Sequence, residues 1–125
     1  MNPVCVYESK VVSVGREAME FLATHLLVLF GTGVPAELAE ISIVHQPTKI
    51  NDAPILEANS TMLIGDSQFI LEEVGSVAEE NFRSLGHLVL TETADPILPG
   101  QVRVRGDWEI LTTVSDGTTI KVLRY

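Results

Sequence analysis

Residues 60–92 read STMLIGDSQFILEEVGSVAEENFRSLGHLVLTE. Two runs rich in apolar and β-branched residues, Ser60–Ile64 and Gln68–Val74, flank Gly65-Asp66, a pair that tolerates the positive φ of a tight hairpin turn. After Val74 the period changes. Ala78, Phe82 and Leu85 fall on one face at i, i+4 and i+7, which predicts a helix over Val77–Leu85. Ser76 and Glu79 have the spacing of a capping box, and Gly86 supplies a left-handed stop. The chain then returns to strand over His87–Glu92.

The rest of the sequence repeats this vocabulary of short runs between Gly, Pro, Asp and Ser. Strands are predicted near Val4–Val14, His25–Phe30, Ile41–His45, Gln101–Arg105, Trp108–Val114 and Thr118–Leu123. Asp116-Gly117 marks a second hairpin, between the last two. A short helix is expected over Arg16–Ala23 and a single turn after Pro35. Loops gather at Gln46–Pro54 and Ala94–Gly100. The expected fold is mainly β, a small closed or partly open β-barrel with one or two short helices, since closure removes sheet edges. No internal repeat and no linker is visible. A length of 125 residues with 46% hydrophobic content suits one domain over 1–125.

Charge and composition exclude several classes. A formal net charge of −9 with eight basic residues would repel phosphate backbones, so nucleic acid is not an expected partner. Such an acidic surface favours encounter with a basic protein. The apolar run Phe21–Phe30 is interrupted by Thr24 and His25 and falls short of the ~20 residues of a membrane span. The start, Met1-Asn2-Pro3-Val4, lacks the pattern of a secretion signal, so a cytoplasmic protein is expected. A single cysteine, Cys5, allows no internal disulfide or thiolate metal cluster and reads as a small buried hydrophobe. No cofactor or metal is expected, for the three histidines have no acids at ligand spacing.

Chemistry therefore falls to His25, His45 and His87. His45 ends the run Ile41–Val44 and is expected where a strand leaves the core. A neutral imidazole there could attack a phosphorus centre without a separate base. As a strand-end side chain it would add little to the core, so His45→Ala is expected to fold normally. His87 opens the next strand and could face His45, donating its N–H to a phosphoryl oxygen. His25, inside an apolar run, reads as a core or sheet-face residue. Gly75 and Ser76, before the helix, offer backbone N–H groups as a phosphate cradle, although Ser76 could equally serve as a plain cap. Trp108 reads as core, with a partner-facing anchor as the alternative.

The stretch Gly75–His87 resembles the glucitol/sorbitol-specific enzyme IIA family of the bacterial phosphoenolpyruvate-dependent sugar phosphotransferase system. Phe30-Gly31-Thr32-Gly33-Val34-Pro35-Ala36-Glu37-Leu38-Ala39-Glu40, followed by His45, is similar to a second family stretch. Pro99-Gly100-Gln101-Val102 resembles a third, so the likeness covers most of the chain. The resemblance implies a small β-barrel that takes a phosphoryl group from the phosphocarrier HPr and passes it to the glucitol-specific IIB/IIC components. Its association with the membrane would be only indirect. His45 matches the family's phosphorylated histidine, and His87 matches a second histidine of the pattern, to which a phosphoryl-stabilising role is assigned here from chemistry. Gln46–Ser60 and the C-terminal tail match no family residues one by one, which leaves the polyol open. Two other readings stand beside this one: a regulatory or docking barrel that transfers nothing, and a subunit whose exposed edge pairs with itself as a homo-oligomer.

Overall fold

Along Val4–Val14 the residues Tyr7, Ser9 and Val11 are buried while Lys10 and Val12 are exposed, the two-residue period of a strand with one face on a core. In the computed structural model, which describes residues 2–125 and all their side chains but those of Ile110 and Thr112, this is strand β1. It is followed by β2 (Leu26–Gly31), β3 (Ile43–Ile50), β4 (Thr61–Ile64), β5 (Ser67–Val74), β6 (Leu88–Thr91), β7 (Gln101–Gly106) and β8 (Thr119–Arg124). These form a closed barrel in the order β1-β3-β2-β6-β7-β5-β4-β8. Leu29, Ile43, Leu71, Leu88, Leu90, Val102, Val104, Ile120 and Val122 fill its interior and are fully buried. Helices α1 (Ala18–Leu22), α2 (Ala36–Ala39) and α3 (Ala78–Leu85) lie in the connections, α2 being the single turn expected after Pro35, and a 3₁₀ turn spans Ile110–Thr113.

Several expectations need correction. Trp108–Val114 is no strand: Trp108, Leu111 and Val114 recur every third residue and are buried, a spacing that suits a 3₁₀ turn. Asp116-Gly117 is accordingly a turn out of that segment and not a hairpin. The segment expected as loop from Gln46 is strand as far as Ile50, paired with β1. Pro47 is tolerated there because β2 pairs with β3 only up to His45, leaving that side of the ladder open. The capping box does not form: the helix starts at Ala78, and Val77 is the N-cap with no side-chain hydrogen bond. Glu79 reaches instead to the backbone N–H groups of Ile55 and Leu56. Leu85 is half exposed, so Ala78 and Phe82 alone carry the buried face of α3.

The fold also contains an internal repeat. Exchanging β1 to β4 for β5 to β8 leaves the barrel order unchanged, and the only parallel pairs among the described strands, β2 with β3 and β6 with β7, exchange with each other. Registers agree residue by residue. Val11 faces His45 and Val14 faces Ile43 in one half, as Leu71 faces Val104 and Val74 faces Val102 in the other, with a bulge at the same step of each ladder. Gly15 and Gly75 end β1 and β5, and a Cβ on either would lie 2.3 Å from a carbonyl oxygen, of Ala39 and Glu40 or of Pro99. Left-handed residues also correspond: His25 with Gly86 after α1 and α3, and Asn59 with Gly117 before β4 and β8. Identity is shared at Val14-Gly15, Ala18, Glu20 and Leu27-Val28-Leu29 with Val74-Gly75, Ala78, Glu80 and Leu88-Val89-Leu90, with Leu22 answering Phe82, a likeness spread thinly over the two halves.

Candidate active site

β3 enters the barrel through Ile43 and Val44, and His45, two residues beyond the inward Ile43, points to the interior. The histidine is not at a strand end but in mid-strand, with an exposure of 0%. Nε2 is 2.8 Å from the carbonyl oxygen of Gly86. Nδ1 is 2.9 Å from Ser9 Oγ and 3.2 Å from the Tyr7 hydroxyl. The ring of Phe82 stacks against the imidazole at 5.7 Å between centroids. A carbonyl only accepts, so Nε2 carries the ring's proton and Nδ1 accepts one from a hydroxyl. Burial pushes the pKa of His45 below its ordinary value, opposed in part by the Gly86 bond, which keeps the ring neutral at neutral pH. Burial also raises the pKa of Tyr7, so that its hydroxyl stays a proton donor.

This burial corrects the expectation that His45→Ala would fold normally. Alanine would leave a cavity and strip partners from buried hydroxyls and a carbonyl, a cost of about 2–4 kcal/mol.

Beyond Nε2 the wall is thin. Gly31 pairs with His45 across the parallel ladder, and Gly86 packs directly on Gly31. A Cβ on Gly86 would sit 2.7 Å from Gly31 N and 3.2 Å from His45 Nε2, and one on Gly31 would sit 2.6 Å from the Leu85 carbonyl oxygen. Both glycines also line an open cleft of about 210 Å3, together with Phe30, Thr32, Gly33, Pro47, Arg83, Ser84 and Leu85. Glycine backbone is thus what lies between the imidazole and the cleft. Arg83 is the one cation among the lining residues, and its guanidinium is held by Glu79 at 2.8 Å and by the carbonyls of Asp52 and Ala53.

His87 stands on the other face of the wall, one residue before the inward Leu88. Its Nδ1 donates to the Leu29 carbonyl at 3.2 Å and its ring packs on Phe30 at 4.5 Å, so it touches the cleft wall rather than His45. Gly75 and Ser76 lie at the start of α3, about 12 Å of helix from the Gly86 end. The Gly75 N–H is taken by the Gln101 carbonyl and the Val77 N–H by that of Pro99. His25 is not a core residue. Its left-handed backbone, φ 58°, turns the ring outward, stacked on Trp108 at 5.2 Å and bonded to Glu92 at 3.0 Å. Trp108 is buried, as expected.

Tyr7, Ser9, Gly31 and Arg83 were not singled out from the sequence. Ser9 had a signal, a small polar residue at an inward position between Tyr7 and Val11. Among the described residues no three of His, Cys, Asp and Glu converge as a metal site, and no helix is long and apolar enough to cross a membrane.

The sequence profile of the family described as PTS system glucitol/sorbitol-specific IIA component matches residues 6–121. Glucitol/sorbitol-specific EIIA components of the PTS from Escherichia coli (strain K12) and Shigella flexneri are each 29% identical over 118 residues, 93% of this chain and 93% of theirs. A crystal structure of a PTS system IIA component from Enterococcus faecalis V583 shares the fold, with a TM-score of 0.76 at 22% identity over 94% of this chain and 99% of that one.

Proposed function

The chain belongs to the glucitol/sorbitol-specific IIA family of the PTS, and from that membership we propose that it is a cytoplasmic phosphocarrier whose His45 accepts a phosphoryl group from phospho-HPr and passes it to the IIB component of a system importing glucitol (sorbitol) or a related polyol. One observation carries the assignment to His45: Gly86, whose carbonyl holds its Nε2, and Gly31, on which Gly86 packs, both line the cleft. A Cβ at either position would meet backbone at 2.6–2.7 Å and thicken that wall. Nε2 is therefore the attacking atom, and the depressed pKa keeps the ring in its nucleophilic neutral form.

Such a transfer asks the protein for alignment and for stabilisation of charge on the moving oxygens. Arg83 lines the cleft but is paired with Glu79, so it would meet the moving oxygens only on leaving that pair, and the N–H of residues around Gly31 and Gly33 can approach closely for want of side chains. His87 holds the Phe30 wall and the strand after Gly86, a supporting part at one remove. The N–H groups of Gly75 and Val77 are spent on carbonyls, which argues against a phosphate cradle at Gly75-Ser76.

The test is intact mass under alkaline conditions, which spare phosphohistidine, after incubation with phosphoenolpyruvate, enzyme I and HPr. A gain of one phosphoryl group, absent from His45→Gln, is expected. Complete burial of His45 with both ring nitrogens bonded is what favours the alternative, a docking barrel that transfers nothing. No gain in the parent, with HPr phosphorylated in the same tube, would establish that alternative.

A further inference from the structure

His45 is held from behind by two hydroxyls. Ser9 and Tyr7 are successive inward residues of β1, both with 0% exposure, and both reach Nδ1. In the structure the ring's proton is on Nε2, committed to the Gly86 carbonyl, and the lone pair is on Nδ1, away from the cleft. That tautomer cannot attack a phosphorus atom lying in the cleft. The opposite tautomer can, provided something buried accepts the proton that then sits on Nδ1. A carbonyl or an amide N–H could serve only one of the two states. A hydroxyl serves both, since it turns from donor to acceptor by rotation about its C–O bond.

We propose that Ser9 and Tyr7 are positioning residues for phosphoryl transfer: their hydroxyls bind Nδ1 of His45 in either tautomer, donating to its lone pair in one and accepting a hydrogen bond from its N–H in the transfer state, so that Nε2 presents its lone pair to the cleft. This rests on the phosphocarrier reading of His45. The two tautomers interconvert through the imidazolium once the Gly86 carbonyl turns aside, one proton being taken from water and one returned, so the ring's proton count is unchanged. Nε2 then forms its bond to phosphorus as the donor's N–P bond breaks. The departing nitrogen keeps that electron pair, and the Nδ1 proton stays on His45, shared with Ser9 Oγ. Pushing electron density from Nδ1–H···O toward the ring stabilises the positive charge that develops on the imidazole as Nε2–P forms. Onward transfer to the next acceptor reverses these steps.

Tyr7 has a further geometric reason to be present. Its ring packs on Phe82 at 4.5 Å and edge-on to the imidazole at 6.3 Å, so the hydroxyl is aimed by two aromatic contacts as well as by the strand. The same Phe82 stacks on His45. Ring, hydroxyls and helix thus fix the imidazole plane and leave the proton's location as the one variable.

The experiment compares the parent with Ser9→Ala, Tyr7→Phe, the double variant and Ser9→Thr. Two quantities are read: the rate of phosphoryl uptake over a range of phospho-HPr concentrations, and the ring 15N shifts of His45, which report its tautomer without any transfer. The double variant is expected to lose ~100-fold in maximal rate, the scale of a lost proton-handling group, with KM for phospho-HPr within twofold. Its 15N shifts should move off those of the parent, while Ser9→Thr, which keeps the hydroxyl, should recover most of the rate. Tyr7→Phe removes a single oxygen and keeps the ring packing, so it carries the test even where Ser9→Ala does not fold. Parent-like rate and tautomer in Tyr7→Phe and in whichever Ser9 variant folds would overturn the inference while leaving the carrier reading intact. A parent that takes up no phosphoryl group overturns both.

Discussion

The cleft between Pro47 and Gly86 has a counterpart between Gly106 and His25, and the two differ chiefly in what stands behind them. The backbone is the same in both, as the matched registers of β1 with β3 and β5 with β7 require. Behind the first cleft are His45, Ser9 and Tyr7. At the corresponding places in the second half are Val104, Phe69 and Ser67, read from the same ladders. Gly86, which brings the cleft within reach of the imidazole, is answered by His25, whose ring is stacked on Trp108. Phe69 packs edge-on to that indole at 5.0 Å. One half has thus been filled with aromatic packing, and the other has kept a thin wall over a polar triad. The repeat supplies geometry twice, and the halves differ in three inward side chains, which is where the proposed chemistry rests.

The sharpest way to break this comparison is to exchange its decisive residue. His45→Gln, which keeps an amide able to reach Gly86, is expected to lower phosphoryl uptake at least ~1000-fold, as loss of a nucleophile does. Val104→Ala should leave the uptake rate unchanged while lowering the melting temperature, because it removes only core volume. Equal loss of uptake in both would end the claim that the halves differ in function.

The glycines test the opposite point, that the frames are the same. Gly15→Ala and Gly75→Ala would each drive a Cβ into backbone carbonyls 2.3 Å away, and each should cost about 3 kcal/mol in denaturant unfolding, the upper range for overpacking. A cost at one glycine and none at its partner would show that the two halves do not share one construction.

A smaller effect concerns pH. Because burial lowers the pKa of His45 from 6.5, the unfolded chain takes up a proton as pH falls through that value while the folded chain does not. This contribution to stability is therefore full above pH 6.5 and declines below it, by at most about 1.4 kcal/mol per pH unit. Unfolding of the parent between pH 7 and pH 5 should be steeper in pH than that of His45→Gln. Parallel curves would mean that His45 is protonated in the folded protein.

The smallest effect is expected at His25→Gly. Relief of a left-handed backbone, worth about 1 kcal/mol, should nearly offset the lost stack on Trp108 and the exposed hydrogen bond with Glu92. Gly86→Ala, its counterpart, should be clearly destabilising, for it combines positive φ with a Cβ 2.7 Å from Gly31 N.

Much of the barrel was legible because alternation and Gly/Asp turns are local signals. Val4–Val14, Ser60–Ile64, the Gly65-Asp66 hairpin, Val77–Leu85 and the Gly86 stop all follow from neighbours in sequence. Trp108–Val114 misled because a short apolar run does not distinguish a strand from a 3₁₀ turn. The repeat is faint in the sequence because an inward barrel position constrains size and polarity more than identity, so Leu71 stands for Val11 and Phe82 for Leu22, and the shared residues are spread over short stretches whose spacing differs by one between the halves. As for the site, His45 could be named from the resemblance, but its depth could not. Burial depends on β3 running on past Pro47, and that in turn depends on pairing with β1, some 36 residues earlier in the case of Ser9. Tyr7 and Ser9 meet His45 only through that long-range pairing, which no local pattern encodes.

The hydrogen bond between Nε2 and the Gly86 carbonyl bears on how a relay keeps its direction. On the proposed chemistry, an empty carrier closes that bond and a loaded one cannot, since phosphorus occupies the same atom. The corner joining α3 to β6 must then sit differently in the two forms. A donor and an acceptor protein that dock over this corner would meet two different shapes, and so could sort full carriers from spent ones before any phosphoryl group has moved.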